Sequence, residues 1–188
     1  SDNFELYATS FFNEVTGDKF TARPGAPVQI TASQAYGVEL DFSFYTDNGF
    51  SVDVAATLQQ TEQIESSTPE NIGNEAARLP NWQVRITPSY EFEFDSGMYG
   101  TLYGSITSVA DRFSDNANTD ALILESFTKV DVGVIVNLTD QVRMQLAVNN
   151  LTDEEGLTEG DPRGTSGLLD NGRYILPRSI DFNISYSF

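Results

Sequence analysis

The sequence has no cysteine, no histidine, only 2 methionines and 1 tryptophan, and 10 basic residues against 28 acidic ones. Without cysteine there is no disulfide and no thiolate zinc site, and without histidine no nucleophile–histidine triad. The formal net charge of -18 excludes nucleic acid as a partner, because its phosphates would be repelled. No run approaches the ~18 consecutive apolar residues of a membrane-spanning helix. Heptads, a fixed-period repeat and an amphipathic helix are also missing. With neither an initiator Met nor a secretory signal, the chain is expected to be a mature piece or a fragment of something longer.

What is there is aromatic and alternating. Thirteen Phe and 8 Tyr recur in stretches where every second residue is apolar. From Arg178 to the end, Ile180, Phe182, Ile184, Tyr186 and Phe188 oppose Ser179, Asp181, Asn183, Ser185 and Ser187. Successive side chains of a strand point to opposite faces, so this segment has one apolar and one polar wall. An apolar wall reaching the last residue is unusual for a water-soluble domain. It suits a transmembrane β-barrel, with lipid outside and water or a plug inside. The modest apolar content, 39% with a mean hydropathy of -0.28, fits a wall in which polar lumen residues dilute the lipid-facing ones.

About eight such strands can be read. The first sets Phe4, Leu6 and Ala8 against Glu5, Tyr7 and Thr9; the next sets Val38, Leu40, Phe42 and Phe44 against Glu39, Asp41, Ser43 and Tyr45. The rest begin at Phe50, Trp82, Met98, Val130, Val142 and Arg178, with Pro88 expected to mark a bulge or broken ladder. Gly100 and Gly104 blur the faces of the Met98 strand. Short turns at 46–49, 95–97 and 139–141 alternate with long polar segments at roughly 15–28, 61–81, 111–124 and 150–177. Short turns on one side and long loops on the other are the periplasmic and extracellular ends of an outer-membrane barrel. The fold class is therefore all-β, an antiparallel transmembrane β-barrel segment of about eight strands.

Candidate chemistry is sparse. Glu91 and Glu93 share a face with Arg85, a pattern that serves acid–base catalysis in some sites but here reads as a polar lumen wall partly neutralised by arginine. The oxygen-rich run Asp115-Asn116-Ala117-Asn118-Thr119-Asp120 lacks the ligands of an EF-hand at Ala117 and Thr119 and reads as a flexible loop; residues 61–81 likewise read as a mobile loop. Three Asn-x-Ser/Thr sequons, at Asn137, Asn150 and Asn183, are accidental in a bacterial outer-membrane protein. Trp82 and several tyrosines, Tyr36 and Tyr90 among them, serve either a sugar-stacking surface or the aromatic girdles of the membrane interfaces. Arg23, Arg78, Arg112, Arg163 and Arg173 fall in loop regions, where they are candidates for clamping an anionic ligand. No catalytic residue, metal site or cofactor is expected.

The run Val148-Asn149-Asn150-Leu151-Thr152-Asp153 resembles the Asn-Asn-Leu-x-Asp signature that ends the penultimate strand of TonB-dependent outer-membrane receptors. Gly156 to Arg163, Gly172-Arg173-Tyr174 and Pro177-Arg178-Ser179 resemble that family's last loop and strand. Ala35-Tyr36-Gly37-Val38-Glu39-Leu40, Arg78-Leu79-Pro80-Asn81 and Asp111-Arg112-Phe113 resemble earlier strand-end motifs in the family's order. Thr152 and Asn183 depart from the residues most common there, Phe and Gly.

The resemblance implies the carboxy-terminal portion, residues 1–188, of a 22-stranded barrel from which the plug domain is absent. It further implies uptake of a scarce nutrient, a ferric siderophore or an oligosaccharide, energised by TonB through the plug. The Leu157–Arg163 run resembles carbohydrate-associated branches. Tyr186 and Phe188 would belong to the signal read by the barrel-assembly machinery. The implied partners are outer-membrane lipid, the rest of the barrel and its plug, TonB, the assembly machinery and the nutrient; the implied location is the bacterial outer membrane. Two alternatives stand on the residues alone: a free-standing eight-stranded barrel, and a secreted β-sandwich that binds carbohydrate.

Overall fold

Alternation of apolar and polar side chains commits each strand to one register, since a slip by one residue would exchange its two faces. A computed structural model describes residues 3–20, 28–94, 97–161 and 171–188. Three 17-residue strands open it, β1 (Phe4–Phe20), β2 (Gln29–Tyr45) and β3 (Phe50–Ser66). Then come β4 (Trp82–Glu93), β5 (Tyr99–Val109) and two short strands, β6 (Arg112–Phe113) and β7 (Ile123–Leu124). Strands β8 (Phe127–Asn137), β9 (Val142–Asn149), β10 (Leu157–Asp161), β11 (Asn171–Tyr174) and β12 (Ser179–Tyr186) complete the chain.

Eight of these form one antiparallel sheet in the order β1-β2-β3-β4-β5-β8-β9-β12. The pairs β6–β7 and β10–β11 are small hairpins inserted in the β5–β8 and β9–β12 connections. Strands β1 and β12 lie at opposite margins of the sheet, whereas a closed eight-stranded barrel would join them. A β-sandwich needs a second large sheet to cover the apolar face, and among the described residues there is none.

Register places side chains on the two faces as the alternation requires. Phe42 pairs with Val54 and Val54 with Ile86, while Ser43 pairs with Asp53 and Asp53 with Thr87. The apolar face stays exposed: Ile180, Phe182 and Ile184 are 71%, 61% and 57% accessible. Such a continuous apolar wall is what lipid would cover. On β3 it runs from Phe50 to Leu58, about 26 Å at ~3.3 Å per residue, close to the ~25 Å band of outer-membrane barrels. The buried apolar residues lie elsewhere. Ala32 lies near the loop end of β2, and Ala76, Ala110, Leu122, Leu124 and Phe127 sit in or beside the long connections; all are at most 9% exposed.

Several boundaries differ from the sequence reading. β1 runs on to Phe20 and β3 to Ser66, into stretches expected to be loop. Beyond the apolar band both faces of a strand meet water, so alternation stops although pairing continues: Asn13 faces Ala35 and Glu62 faces Gln34. Pro88, lacking an N–H, breaks the β4–β5 ladder locally without making a bulge. Thr87 and Pro88 have no paired residue on β5, while Ile86↔Ile106 and Ser89↔Tyr103 leave two residues on each strand between them, so the register is unshifted.

Gly37 is required for close approach. A Cβ at this position would lie 2.2 Å from the Leu58 carbonyl oxygen and 2.9 Å from the Gln59 Cα, both backbone atoms that cannot swing aside. Gly37→Ala is expected to destabilise the β2–β3 pairing by about 1–3 kcal/mol. The measurement is the temperature at which the folded receptor loses its compact mobility on an unheated gel; an unchanged midpoint would contradict the strain.

Candidate functional site

The β3–β4, β5–β8 and β9–β12 connections gather at one rim of the sheet and bond to one another. The β3–β4 connection carries a single 3-10 turn, Pro69–Asn71. Its later half is seized by the β5–β8 connection. Glu75 N–H donates to Asn118 Oδ1 at 2.7 Å, Asn118 Nδ2 returns a bond to Glu75 O at 3.0 Å, and Ala77 N–H donates to Asn116 Oδ1 at 3.3 Å. Beneath them Gln63, 1% exposed, donates from Nε2 to the carbonyls of Glu75 (3.2 Å) and Asn116 (2.7 Å). Asp115 caps Thr119 through both its N–H (3.0 Å) and its hydroxyl (2.8 Å). The run 115–120 is thus an ordered clasp rather than a flexible loop, and 67–81 is not free either. The side-chain oxygens of Asp115, Asn116 and Asn118 are engaged with loop groups, and no group of three or more acidic residues among those described is placed to hold a metal.

A second knot lies at the end of β9. Asn150 has φ 50, the left-handed region that asparagine tolerates better than most residues. Its N–H donates to Asp131 Oδ1 (2.8 Å), its Nδ2 to the carbonyls of Glu154 (2.9 Å) and Leu176 (3.0 Å), and its Oδ1 accepts from Glu154 N–H (2.9 Å). Asp153, also left-handed at φ 58, accepts from Arg178 N–H at 3.1 Å and pairs with its guanidinium at 3.4 Å. The Asn-Asn-Leu-x-Asp run therefore ties together β8, the end of β9 and the approach to β12.

The candidate ligand contacts separate by environment. Arg112 is 7% exposed and donates to the carbonyls of Ala110 (3.3 Å), Leu157 (3.1 Å) and Thr158 (3.2 Å); burial pushes its guanidinium below the usual value. It fastens the β10–β11 hairpin to the rim and leaves little for a ligand. Arg78 and Arg173 are accessible and share Glu159, each at 3.1 Å. Trp82 shares the apolar face with its partner Leu58, at the loop end of the band, where an aromatic girdle belongs. Arg23 and Arg163 lie outside the described residues. Tyr186 and Phe188 stack edge to face, with ring centres 5.2 Å apart, at the short-turn end, where Ser187 N–H donates to Gln141 O at 2.9 Å. The sequence pattern singles out neither Glu159 nor Gln63, and shows Asn118 only as one member of an oxygen-rich run. Only the Asp-x-x-Asn spacing of Asp115 and Asn118, a turn signal, hinted at the clasp.

The polar face of the sheet carries its own ties. Ser43 donates to Asp53 at 2.6 Å, Tyr45 to Glu5 at 3.0 Å, and Lys129 pairs with Asp131 at 2.8 Å. Gly133 lets the Tyr103 ring lie across β8, a Cβ there falling 2.4 Å from the ring, and Gln145 on β9 donates to its hydroxyl at 2.8 Å. Arg85 and Glu91 stand six residues apart on one strand, about 20 Å. Arginine therefore does not neutralise the Glu91/Glu93 pair as the sequence reading expected.

The family model described as TonB dependent receptor-like, beta-barrel matches residues 2–151. No curated protein sequence matches the chain. Among solved structures, the ferric yersiniabactin uptake receptor FyuA from Yersinia pestis superposes with a TM-score of 0.84 at 17% identity, over 100% of this chain and 28% of that one. The siderophore receptor PiuA from Acinetobacter baumannii gives 0.75 at 16% identity, over 98% of this chain and 26% of that one. The ferripyoverdine receptor of the outer membrane of Pseudomonas aeruginosa gives 0.71 at 16% identity, over 99% and 25%. The chain thus spans about a quarter of the length of each of these receptors. One-sided sheet, rim of long loops and family match agree: the chain belongs to the β-barrel family of TonB-dependent receptors, transport proteins of the bacterial outer membrane, and its eight-stranded sheet is a segment of such a barrel.

Proposed function

We propose that residues 1–188 form the carboxy-terminal portion of a receptor barrel that imports a scarce nutrient, with the plug domain and the contact to TonB supplied by the rest of the receptor. The observation that carries this reading is the division of one sheet into an apolar outer face, a hydrogen-bonded polar inner face and a single rim of interlocked loops. Such a segment contributes wall and binding surface rather than catalysis. Ferric siderophores are the favoured cargo class, because the receptors it superposes on are named for them; oligosaccharides are the second. Arg78 and Arg173 are the proposed contacts at the rim, with Arg112 acting from beneath.

The intact receptor, produced in an iron-starved bacterium lacking its own siderophore receptors, is expected in the detergent-extracted outer-membrane fraction. It should restore TonB-dependent uptake of at least one labelled ferric siderophore. Recovery in the soluble fraction without detergent, or no uptake of any siderophore or oligosaccharide offered, would sink the reading.

Tyr186 and Phe188 are proposed as the residues read by the barrel-assembly machinery. Both side chains lie open on the outer face. Phe188→Ala should lower the amount of assembled receptor several-fold while leaving the uptake rate per assembled receptor unchanged. Quantifying the folded band against total receptor separates those two effects.

A further inference from the structure

Glu159 is gripped by two arginines from different connections. Arg78 Nη1 meets Oε1 and Arg173 Nη1 meets Oε2, each at 3.1 Å, with side chains 47% and 81% exposed against 36% for the glutamate. Two cations around one anion leave a local surplus of positive charge on a chain whose net charge is -18. Among the described residues neither guanidinium is consumed: Arg78 makes one further bond there, from Nη2 to Gly160 O at 3.4 Å, and each guanidinium has five N–H donors in a planar fork. Arg112, which bonds to Leu157 and Thr158 next to Glu159 in the same cap, is the opposite case, buried and turned to three carbonyls.

Arg78 is also held under strain. It sits at φ 69, a left-handed conformation that carries a penalty for any residue with a Cβ and persists where the surroundings over-determine it. Here its N–H donates to Phe113 O at 2.7 Å, so the β5–β8 connection fixes the backbone. The side chain is thereby aimed across to Glu159.

Resting on the reading of this rim as a cargo surface, we infer that Arg78 and Arg173 form a clamp for an anionic group of the cargo, a carboxylate or phosphate, with Glu159 as its built-in occupant. An incoming anion displaces the Glu159 carboxylate and takes the two forks. The clamp then prefers multiply charged anions, because a lone carboxylate gains little over the one already in place. Retained in the empty receptor, Glu159 keeps both arginines oriented, so that little side-chain entropy is lost on binding.

A clamp and a plain surface ion network differ in sign. The test uses the intact receptor in detergent, titrated calorimetrically with citrate and with inorganic phosphate. Arg78→Gln and Arg173→Gln should each weaken citrate binding about tenfold, the scale of one charge-assisted fork. Glu159→Gln removes the competitor and should tighten it at least about threefold. Conservative Arg78→Lys and Arg173→Lys should recover only part of the loss, because lysine supplies a point charge without a fork. Citrate binding that is lost or unchanged in Glu159→Gln would overturn the clamp, as would failure of both wild type and Glu159→Gln to bind either anion below about 10 mM, roughly 3 kcal/mol of affinity. Uptake of labelled siderophore by the same receptor, measured alongside, tells a failed clamp from a failed transport reading.

Discussion

Replacing Asn150 with alanine is expected to destabilise the loop cap by about 3–5 kcal/mol, one of the two largest effects of any substitution considered in this chain. The side chain is 1% exposed and satisfies three backbone groups, the N–H and C=O of Glu154 and the C=O of Leu176. Truncation leaves all three without that partner in a place water reaches poorly, at roughly 1–3 kcal/mol for each group left unsatisfied. Alanine also meets the left-handed φ of 50 with a Cβ and no local hydrogen bond, a further ~1–2 kcal/mol. Asn150→Gly separates the contributions. Glycine relieves the backbone but restores no bond, so it should recover only about 1 kcal/mol. Hydrogen exchange of the assembled receptor is the measurement: protection should fall at 150–158 and 174–178 while β8 and β9 stay protected within the sheet. Equal and small losses for both variants would mean that the asparagine is not the staple its geometry implies.

That staple lies inside a motif the sequence displays openly, and the contrast shows what was legible. The strands from Phe50 to Leu58 and from Ser179 to Tyr186 could be read residue by residue, because lipid on one side and polar groups on the other impose a period of two. Where β1 and β3 rise past the apolar band, that contrast vanishes, and residues such as Asn13, Glu62 and Gln63 carry no periodic signal although their backbones remain paired. Family-like runs identified the chain without disclosing what their residues do. Gly37 is there for the approach of the Leu58 carbonyl, and Asn150 and Asp153 for two left-handed turns. Arg112 was read as a ligand candidate because arginine in a polar loop looks exposed. Its burial depends on β10, 45 residues further on, a distance that no local pattern spans. The Arg78–Glu159 pair is 81 residues apart and was invisible for the same reason.

Arg112→Leu should produce the second large effect, about 3–5 kcal/mol, concentrated in the β10–β11 hairpin. The wild-type guanidinium sits under that hairpin and holds two consecutive carbonyls, Leu157 and Thr158, at 3.1 and 3.2 Å, while its other arm reaches back to Ala110 O at 3.3 Å. Charge-assisted bonds of this kind contribute about 1.5–3 kcal/mol each, set against the desolvation that depresses the Arg112 pKa. Leucine fills much of the volume but donates to none of the carbonyls, and two of them lie in the hairpin that carries Glu159. Freed from below, the hairpin keeps its tie through Arg78, an exposed ion pair worth at most about 1 kcal/mol. Proteolysis of the assembled receptor should therefore cut at 157–161 well before any cut in the 67–81 connection, whose clasp to Asn116 and Asn118 does not involve Arg112. The same variant should weaken anion binding at the Arg78–Arg173 clamp although Arg112 never touches the anion, because the clamp works only while Thr158 and its neighbours are held still. Salt discriminates the two layers. Raising ionic strength screens the exposed Arg78–Glu159 pair and leaves the buried Arg112 bonds nearly intact, so wild type should keep its hairpin protected in salt that releases it from Arg112→Leu.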